Sequence, residues 1–253
     1  FWANSFLKLS LDMNRYQILN PFSFEEYRSM PSLSMRTHLS KNNLSFSLNS
    51  NITKFERENI NPLEDSLKKI QRSYLIPEVS YKKYFHSSKL SLTLGTSYTN
   101  YKVKSNNISW SSPWAEIEYK IFLDKKKKRS FSSLLPAIKY IYVKEDSSAT
   151  NYFIDSRIPS IDYQNLFRKN LLVGFDKTIQ TNKVVLGLQH ISKGKSSGYN
   201  SFSIGKAFYL EKQPNYLHAL QKRSESPLIA EYKKIFTKKT FYRGAPLKNQ
   251  DTA

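Results

Sequence analysis

The sequence predicts an all-β fold: an antiparallel transmembrane β-barrel of outer-membrane type, with about ten strands in this stretch of chain. Three observations predict it. Apolar residues recur at every second position along most of the chain. The alternating segments are longer than soluble strands of about 5–6 residues, and match the roughly 9–11 residues of a tilted strand crossing a bilayer. The connections between them alternate short and long, as periplasmic turns and outer loops do in such barrels.

In chain order, Leu7, Leu9, Leu11 and Met13 alternate with Lys8, Ser10 and Asp12, which predicts a strand near 4–14. Leu33, Met35 and Leu39 against Ser34, Arg36 and His38 predict the next at 32–39, and Leu44, Phe46 and Leu48 one at 44–55. Strands follow near 74–85, at 89–104 from Leu90, Leu92 and Leu94, and at 112–123 from Ala115, Ile117, Tyr119, Ile121 and Leu123. Leu134, Ile138, Tyr140 and Tyr142 mark 131–144; Val184, Leu186 and Leu188 mark 182–192. Phe202, Ile204, Phe208 and Leu210 mark 198–211, and Leu228, Ala230 and Tyr232 mark 227–238. A period of two sends one set of side chains to each face, here an apolar face and one of Ser, Lys, Asn, Thr and Glu. The apolar rows are expected to look out at acyl chains while their polar neighbours line water. A soluble β-sandwich or closed barrel would alternate too.

The connections orient the chain. Residues 40–43, 86–88, 124–130 and 193–197 are short, which makes them periplasmic by strand parity. Residues 15–31, 56–73, 145–181 and 212–226 are long and external, and 104–111, intermediate in length, counts with them. Leu63 to Ile70 reads as two helical turns inside a loop. Tyr84 and Phe85, Tyr98 and Tyr101, Tyr140 and Tyr142, and Phe208 and Tyr209 lie toward strand ends, where barrels keep aromatic girdles.

Composition agrees. Tyr and Phe number 17 and 16 against 7 Gly, which favours strands. Mean hydropathy is −0.57 and no window approaches the roughly 18 apolar residues of a membrane helix, as expected where lipid-facing and lumen-facing residues cancel. The chain opens at Phe1 without the features of a signal peptide, so it reads as a fragment or a processed piece, whose targeting signal could lie upstream. With no Cys there is no disulfide or thiolate site. Lys plus Arg number 40 against 20 acids, net +20, which attracts anionic lipid, phosphorylated ligands or nucleic acid; a Lys- and Asn-biased genome gives the same balance.

Covalent chemistry finds no support. His38, His86, His190 and His218 are scattered, and neither a phosphate-binding Gly loop nor a G-x-S-x-G nucleophile occurs. No catalytic, metal or cofactor site is expected, and the chain reads as not an enzyme. Glu116 and Glu118 share one strand face, which suits acid–base work but is more simply a hydrated lumen wall. Lys8, Asp12, Arg36, Glu116, Glu118 and Lys120 are the lumen-facing polar candidates. The run Lys125 to Arg129 is a basic turn facing the periplasm, either a contact for lipid phosphates or an anionic partner, or a solvated turn that blocks misplaced pairing.

A family resemblance rests on Leu134 to Leu188. LLPAIKYIYVKED is followed by Arg157-Ile158-Pro159, by IDYQNLFRKNLLVGFDKT at 161–178, and by Asn182 with the strand VVLGLQ. This resembles the LptD family, with its "LEPRLFYLYV" strand, its Leu-Pro loop step and its "F-x-F-x-x-LFR-x-NRF-x-G-x-DR" motif. The matching residues are Pro136, Tyr140, Tyr142, Val143, Pro159, Leu166, Phe167, Arg168, Asn170, Gly174, Asp176 and Asn182. Leu171, Leu172 and Lys177 depart from the family's Arg, Phe and Arg, though the Asp176–Lys177 charge pattern survives. Tyr16 to Met35, the ITKF at 52–55 and the SPLIAE at 226–231 fit the same family in order.

The resemblance implies the outer membrane of a Gram-negative bacterium and a role in assembling lipopolysaccharide into its outer leaflet. It implies a large barrel preceded by a periplasmic jelly-roll, with residues 1–253 forming part of the single barrel domain and the jelly-roll lying outside this chain. The implied partners are an LptE-type plug lipoprotein, periplasmic bridge proteins of lipopolysaccharide transport, lipopolysaccharide itself and outer-membrane lipid; nucleic acid is not expected. Pro159, Leu166, Phe167, Arg168, Asn170, Gly174, Asp176, Lys177 and Asn182, with Asp162 beside them, become candidates for a loop that gates the pore or folds inward under ion pairs. Two rivals stay open: another outer-membrane barrel such as a porin or receptor, and a soluble basic β protein that binds nucleic acid.

Overall fold

The computed structural model describes residues 3–12, 15–20, 23–29, 32–58, 69–103, 106–127, 130–144, 159–160, 162–170, 178–193, 198–211 and 224–235. Its strands are β1 (Ala3–Asp12), β2 (Arg15–Asn20), β3 (Ser23–Ser29), β4 (Ser32–Lys41), β5 (Leu44–Glu58), β6 (Lys69–Tyr84), β7 (Ser88–Val103), β8 (Asn106–Ile121), β9 (Leu123–Lys127), β10 (Ser130–Val143), β11 (Thr181–Lys193), β12 (Tyr199–Tyr209) and β13 (Ile229–Ile235). One short helix, α1 (Tyr163–Leu166), lies between β10 and β11. None of the described helices is long and apolar enough to cross a membrane, which says nothing of a β-barrel.

The strands form one antiparallel sheet in the order β1-β4-β5-β6-β7-β8-β10-β11-β12-β13. These are the ten strands the alternation predicts. The period did not show β2 and β3, which pair as a hairpin beside β5 inside the first external connection, or β9, which pairs with β10. Strand β9 takes three lysines of the basic run, Lys125 to Lys127, into the ladder opposite Ser130 to Ser132, where a turn is expected; 128–129 lie outside the described residues. Of the helix expected over 63–70, residues 63–68 lie outside the described residues. Lys69 and Ile70 begin β6, because Ile70 pairs with both Phe55 and Val103 and is buried there.

Local chemistry sets the turns. The two-residue connection between β4 and β5 places Asn42 at φ 54, a left-handed conformation that Asn tolerates. The connection expected to be intermediate, 104–111, is short: β7 and β8 stay paired as far as Val103↔Asn106 and leave only 104–105 between them. Alternation of short and long connections therefore breaks at this hairpin, whose strands keep pairing past the apolar rows. Along β6, the β7 ladder skips Ile76 and Pro77, where proline has no amide to donate.

Antiparallel partners share a face, so the register assigns every side chain. Leu9, Met35, Ser50, Leu75 and Tyr98 form one cross-strand row, and Ile117, Tyr140, Val184 and Phe208 another. The apolar rows lie exposed on this outer face, with Leu9 at 62%, Leu92 at 36% and Leu186 at 45% exposure. They do not meet in a dry interior. Three expected girdle residues stand elsewhere: Tyr84 falls in the inward phase opposite Lys89, Tyr101 is buried on the inner face, stacked on Trp110 with ring centroids 5.4 Å apart, and Tyr209 also points inward. Residue 98 was the outward phase, and an odd step along a strand reverses the face.

Candidate functional site

The inner face is polar on some strands and apolar on others, and the division locates the site. Glu116 lies 3.1 Å from Lys139, and Glu118 lies 3.7 Å from Lys89. Lys120 pairs with Lys89 on one side and Ala137 on the other. These lumen-facing candidates do share one face. Lys8 pairs with Arg36 and Asp12 with Ser32 in the β1–β4 ladder; the side chains of Arg36 and Asp12 lie outside the described residues.

At the ends of β8 and β10–β13 nearest α1 the same face carries Trp114, Ile141, Val143, Val185, Ala207 and Ile229, buried with Leu166 in one cluster. What covers them is the segment around α1. Tyr163 and Phe167 pack on that cluster, their rings 5.2 Å apart. A row of small residues receives them. Ala137 pairs with Gly187, Gly187 with Gly205, and Gly205 with Ile229. A Cβ on Gly187 would lie 2.5 Å from the Phe167 ring and 2.6 Å from the Tyr163 hydroxyl, and one on Gly205 would lie 3.1 Å from Leu166. The glycines leave the ladder intact and remove the side chains that would hold α1 away.

Asp162 starts α1 as its N-cap, its Oδ1 accepting the Asn165 N–H at 2.8 Å, while Asn165 Nδ2 donates to Ser160 O at 2.9 Å. Three contacts then tie the segment to separate strands. The Tyr163 N–H donates to Glu231 Oε1 of β13 at 2.6 Å. Lys139 Nζ of β10 donates to Phe167 O at 3.0 Å while also pairing Glu116. Lys169 reaches Glu78 of β6 at 3.5 Å and lies 3.3 Å from the centre of the Trp114 ring, a cation–π contact. Burial holds the Lys169 ammonium below the usual lysine range, and the charges of Glu78 and Glu116 only partly offset this. Burial, then the charge of Glu118, pushes the Tyr163 hydroxyl up to about 12.

The motif residues divide accordingly. Leu166 is buried in the cluster, Phe167 packs on Gly187, and Pro159 is half-buried ahead of the helix. Asn170 Oδ1 accepts the Ile179 N–H at 3.3 Å, closing the segment on itself. Asn182 and Gln180 donate to the Glu211 carboxylate at 2.9 and 2.8 Å, which hold it below the usual carboxylate range. Arg168 is exposed, and Gly174, Asp176 and Lys177 lie outside the described residues.

The sequence reading missed Lys139, Lys169, Glu78, Glu231, Gly187 and Gly205. A signal existed for the seat: AIKYIYV at 137–143 and VVLGL at 184–188 are apolar in both phases, the mark of a strand covered on both faces. In the SPLIAE stretch, the Ser226 N–H donates to Ala207 O and the Ser226 Oγ accepts the Ala207 N–H, Ile229 enters the cluster and Glu231 holds the helix.

One family model, described as LPS transport system D (LptD), matches this chain over residues 1–245. The chain belongs to the LptD family. It is 24% identical over 229 residues to the LPS-assembly protein LptD of Vibrio vulnificus, covering 84% of this chain and 29% of that protein. It is 24% identical over 225 residues to the LptD of Hahella chejuensis, covering 81% of this chain and 28% of that one. The chain thus spans less than a third of the length of the LptD relatives it matches.

Proposed function

We propose that this chain forms part of the wall of an outer-membrane translocon that assembles lipopolysaccharide into the outer leaflet of a Gram-negative cell. Membership of the LptD family supports this, and the observation that carries it is the two-faced sheet. Exposed Leu, Ile and Phe rows suit acyl chains, while Lys89, Lys120 and Lys139, with Glu116 and Glu118 neutralised by ion pairs, give the other face a wet polar lining for phosphorylated sugars. The amphiphile passes without covalent chemistry. In this reading a plug lipoprotein of the LptE type fills the interior, periplasmic bridge proteins meet the short-turn end, and the α1 segment is the lid that narrows the pore while lipid is delivered. Its seat supports this role: the lid rests on a smooth glycine floor and is tied by charges to β6, β10 and β13.

The test is photo-crosslinking in cells with the full-length protein, the reactive residue placed at Lys120 on the inner face or at Leu186 on the outer. Lipopolysaccharide adducts at Lys120 that disappear when delivery from the periplasm is stopped are expected. Normally assembled protein with no adduct at Lys120 under active delivery would overturn the reading.

A further inference from the structure

Charge on the outer face follows a rule that the transport reading does not use. Among the described strand side chains, every carboxylate, Glu78, Glu116, Glu118, Asp124 and Glu231, falls in the inward phase of the register. Outward lysines fall at strand ends. Toward the short-turn end they are Lys41, Lys83, Lys125 and Lys234; toward the other end they are Lys54, Lys69, Lys102 and Lys144. All eight are exposed. Between the two sets stands Lys206, which Glu225 neutralises at 2.9 Å.

The register aligns each set into a belt. Lys125, Ser132, Ser192, Asn200 and Lys234 form one unbroken row of paired residues across the sheet. Lys41 leads through Leu44 to Tyr81, two residues before Lys83. At the other end Lys54, Gln71 and Lys102 form a single row, with Lys69 two residues further along β6. The Lys144 N–H continues the ladder by donating to Pro113 O at 3.0 Å. Strand β6 carries a member of each belt, Lys69 and Lys83, fourteen residues apart. At about 3.4 Å per residue and a tilt of about 40°, that separates the belts by roughly 36 Å along the membrane normal, more than the hydrocarbon thickness of about 30 Å and less than the full bilayer.

We infer that the outer wall carries two cationic belts that bind the phosphates of lipid headgroups, one belt in each leaflet. An ammonium on a four-carbon stem lies along the apolar wall and reaches a headgroup, which an outward carboxylate would repel. The occupant is an anionic lipid rather than a protein, because the belts flank a continuous apolar wall that only acyl chains cover without a matching partner surface. Lys83 rests over the Phe85 ring at 5.4 Å, a pairing of cation and aromatic suited to the membrane interface.

The test uses the full-length protein refolded in neutral detergent, with the temperature of its heat-induced gel shift as the readout. Phosphatidylglycerol, phosphatidylcholine with the same acyl chains, and inorganic phosphate are added separately. Phosphatidylglycerol is expected to raise the midpoint by several degrees while the other two leave it unmoved. Replacing either belt of four lysines by Gln should remove about half of that rise, all eight should remove most of it, and Lys→Arg at the same eight should keep it. Equal rises with phosphatidylcholine or free phosphate, or a full rise in the eight-Gln protein, would overturn the inference. Transport is not measured, so this result stands apart from the translocon test.

Discussion

Gly187 and Gly205 face each other across β11 and β12, and Tyr163 of the inserted loop touches the space above both. The two missing side chains are what let the loop reach the sheet. Gly187→Val should therefore undock the loop without breaking the ladder, because its Cβ would meet two rigid rings at 2.5 and 2.6 Å. Overpacking of this kind costs about 1–3 kcal/mol. Hydrogen exchange of the full-length protein should show faster exchange at Asn165 and Phe167 and unchanged protection at Val185 and Ala207. Loss of protection in the strands as well would mean that the glycine serves the sheet, not the loop. Gly205→Ala, with its nearest contacts at 3.1 Å, should show the same effect more weakly.

Lys139 should be the strongest single tie. It satisfies Glu116 and the Phe167 carbonyl together, and both members of the ion pair are about 15% exposed. Lys139→Met leaves Glu116 charged and poorly solvated, at about 3 kcal/mol, the low end for breaking a buried pair. Adding Glu116→Gln removes the stranded charge and should recover most of that loss. A double-mutant cycle on loop docking measures the coupling; a value near zero would show that the 3.1 Å approach does not stabilise the docked state.

Reading faces from the sequence succeeded where one face alone was apolar, as at Leu9 against Lys8 and Ile117 against Glu116. It stopped at Ile141, Val143, Val185 and Ala207, where both phases are apolar and a period of two carries no direction. Only the covering segment decides that side, and a segment brought back over the sheet by a long connection leaves no periodic mark. The same limit hid Glu231 and Glu78, whose roles appear only when Tyr163 and Lys169 arrive beside them. The LFR stretch at 166–168 was recognisable as a motif, yet its chemistry lies in the Phe167 ring, the Phe167 carbonyl and the buried Leu166 rather than in the Arg168 charge.

The outer wall gives a prediction that contrasts two positions. Leu186→Lys puts a charge on the exposed outer face, next to Lys206 in the β11–β12 ladder. Near the membrane midplane this should cost about 2–4 kcal/mol and lower the yield of assembled protein. Gln189→Lys, three residues along the same strand and on the inner face, should assemble normally. The fraction of full-length protein showing the heat-induced gel shift reports both. Equal yields for the two would reverse the facing assigned from the register.

Tyr163 supplies a pH dependence whose sign is fixed. Its hydroxyl is raised from 10.0 to about 12 in the docked loop, first by burial and then by Glu118. A group raised on docking stabilises the docked form fully below its free value and gives that up as pH climbs through the docked value, so docking should weaken between pH 10 and about 12. Lys169 acts with the opposite sign, its lowered value favouring docking as pH rises toward 10.5, so the two windows do not coincide. Absorbance at 295 nm (roughly the tyrosinate band) should show a late tyrosinate phase whose amplitude falls by one phenol in Tyr163→Phe. In that variant, protection at Asn165, taken relative to the intrinsic base-catalysed rate, should no longer fall above pH 10. If Tyr163→Phe left the amplitude of the late phase unchanged, the hydroxyl would not be the buried group and the loop would sit higher above Gly187 than the 2.6 Å from an added Cβ to the Tyr163 hydroxyl implies.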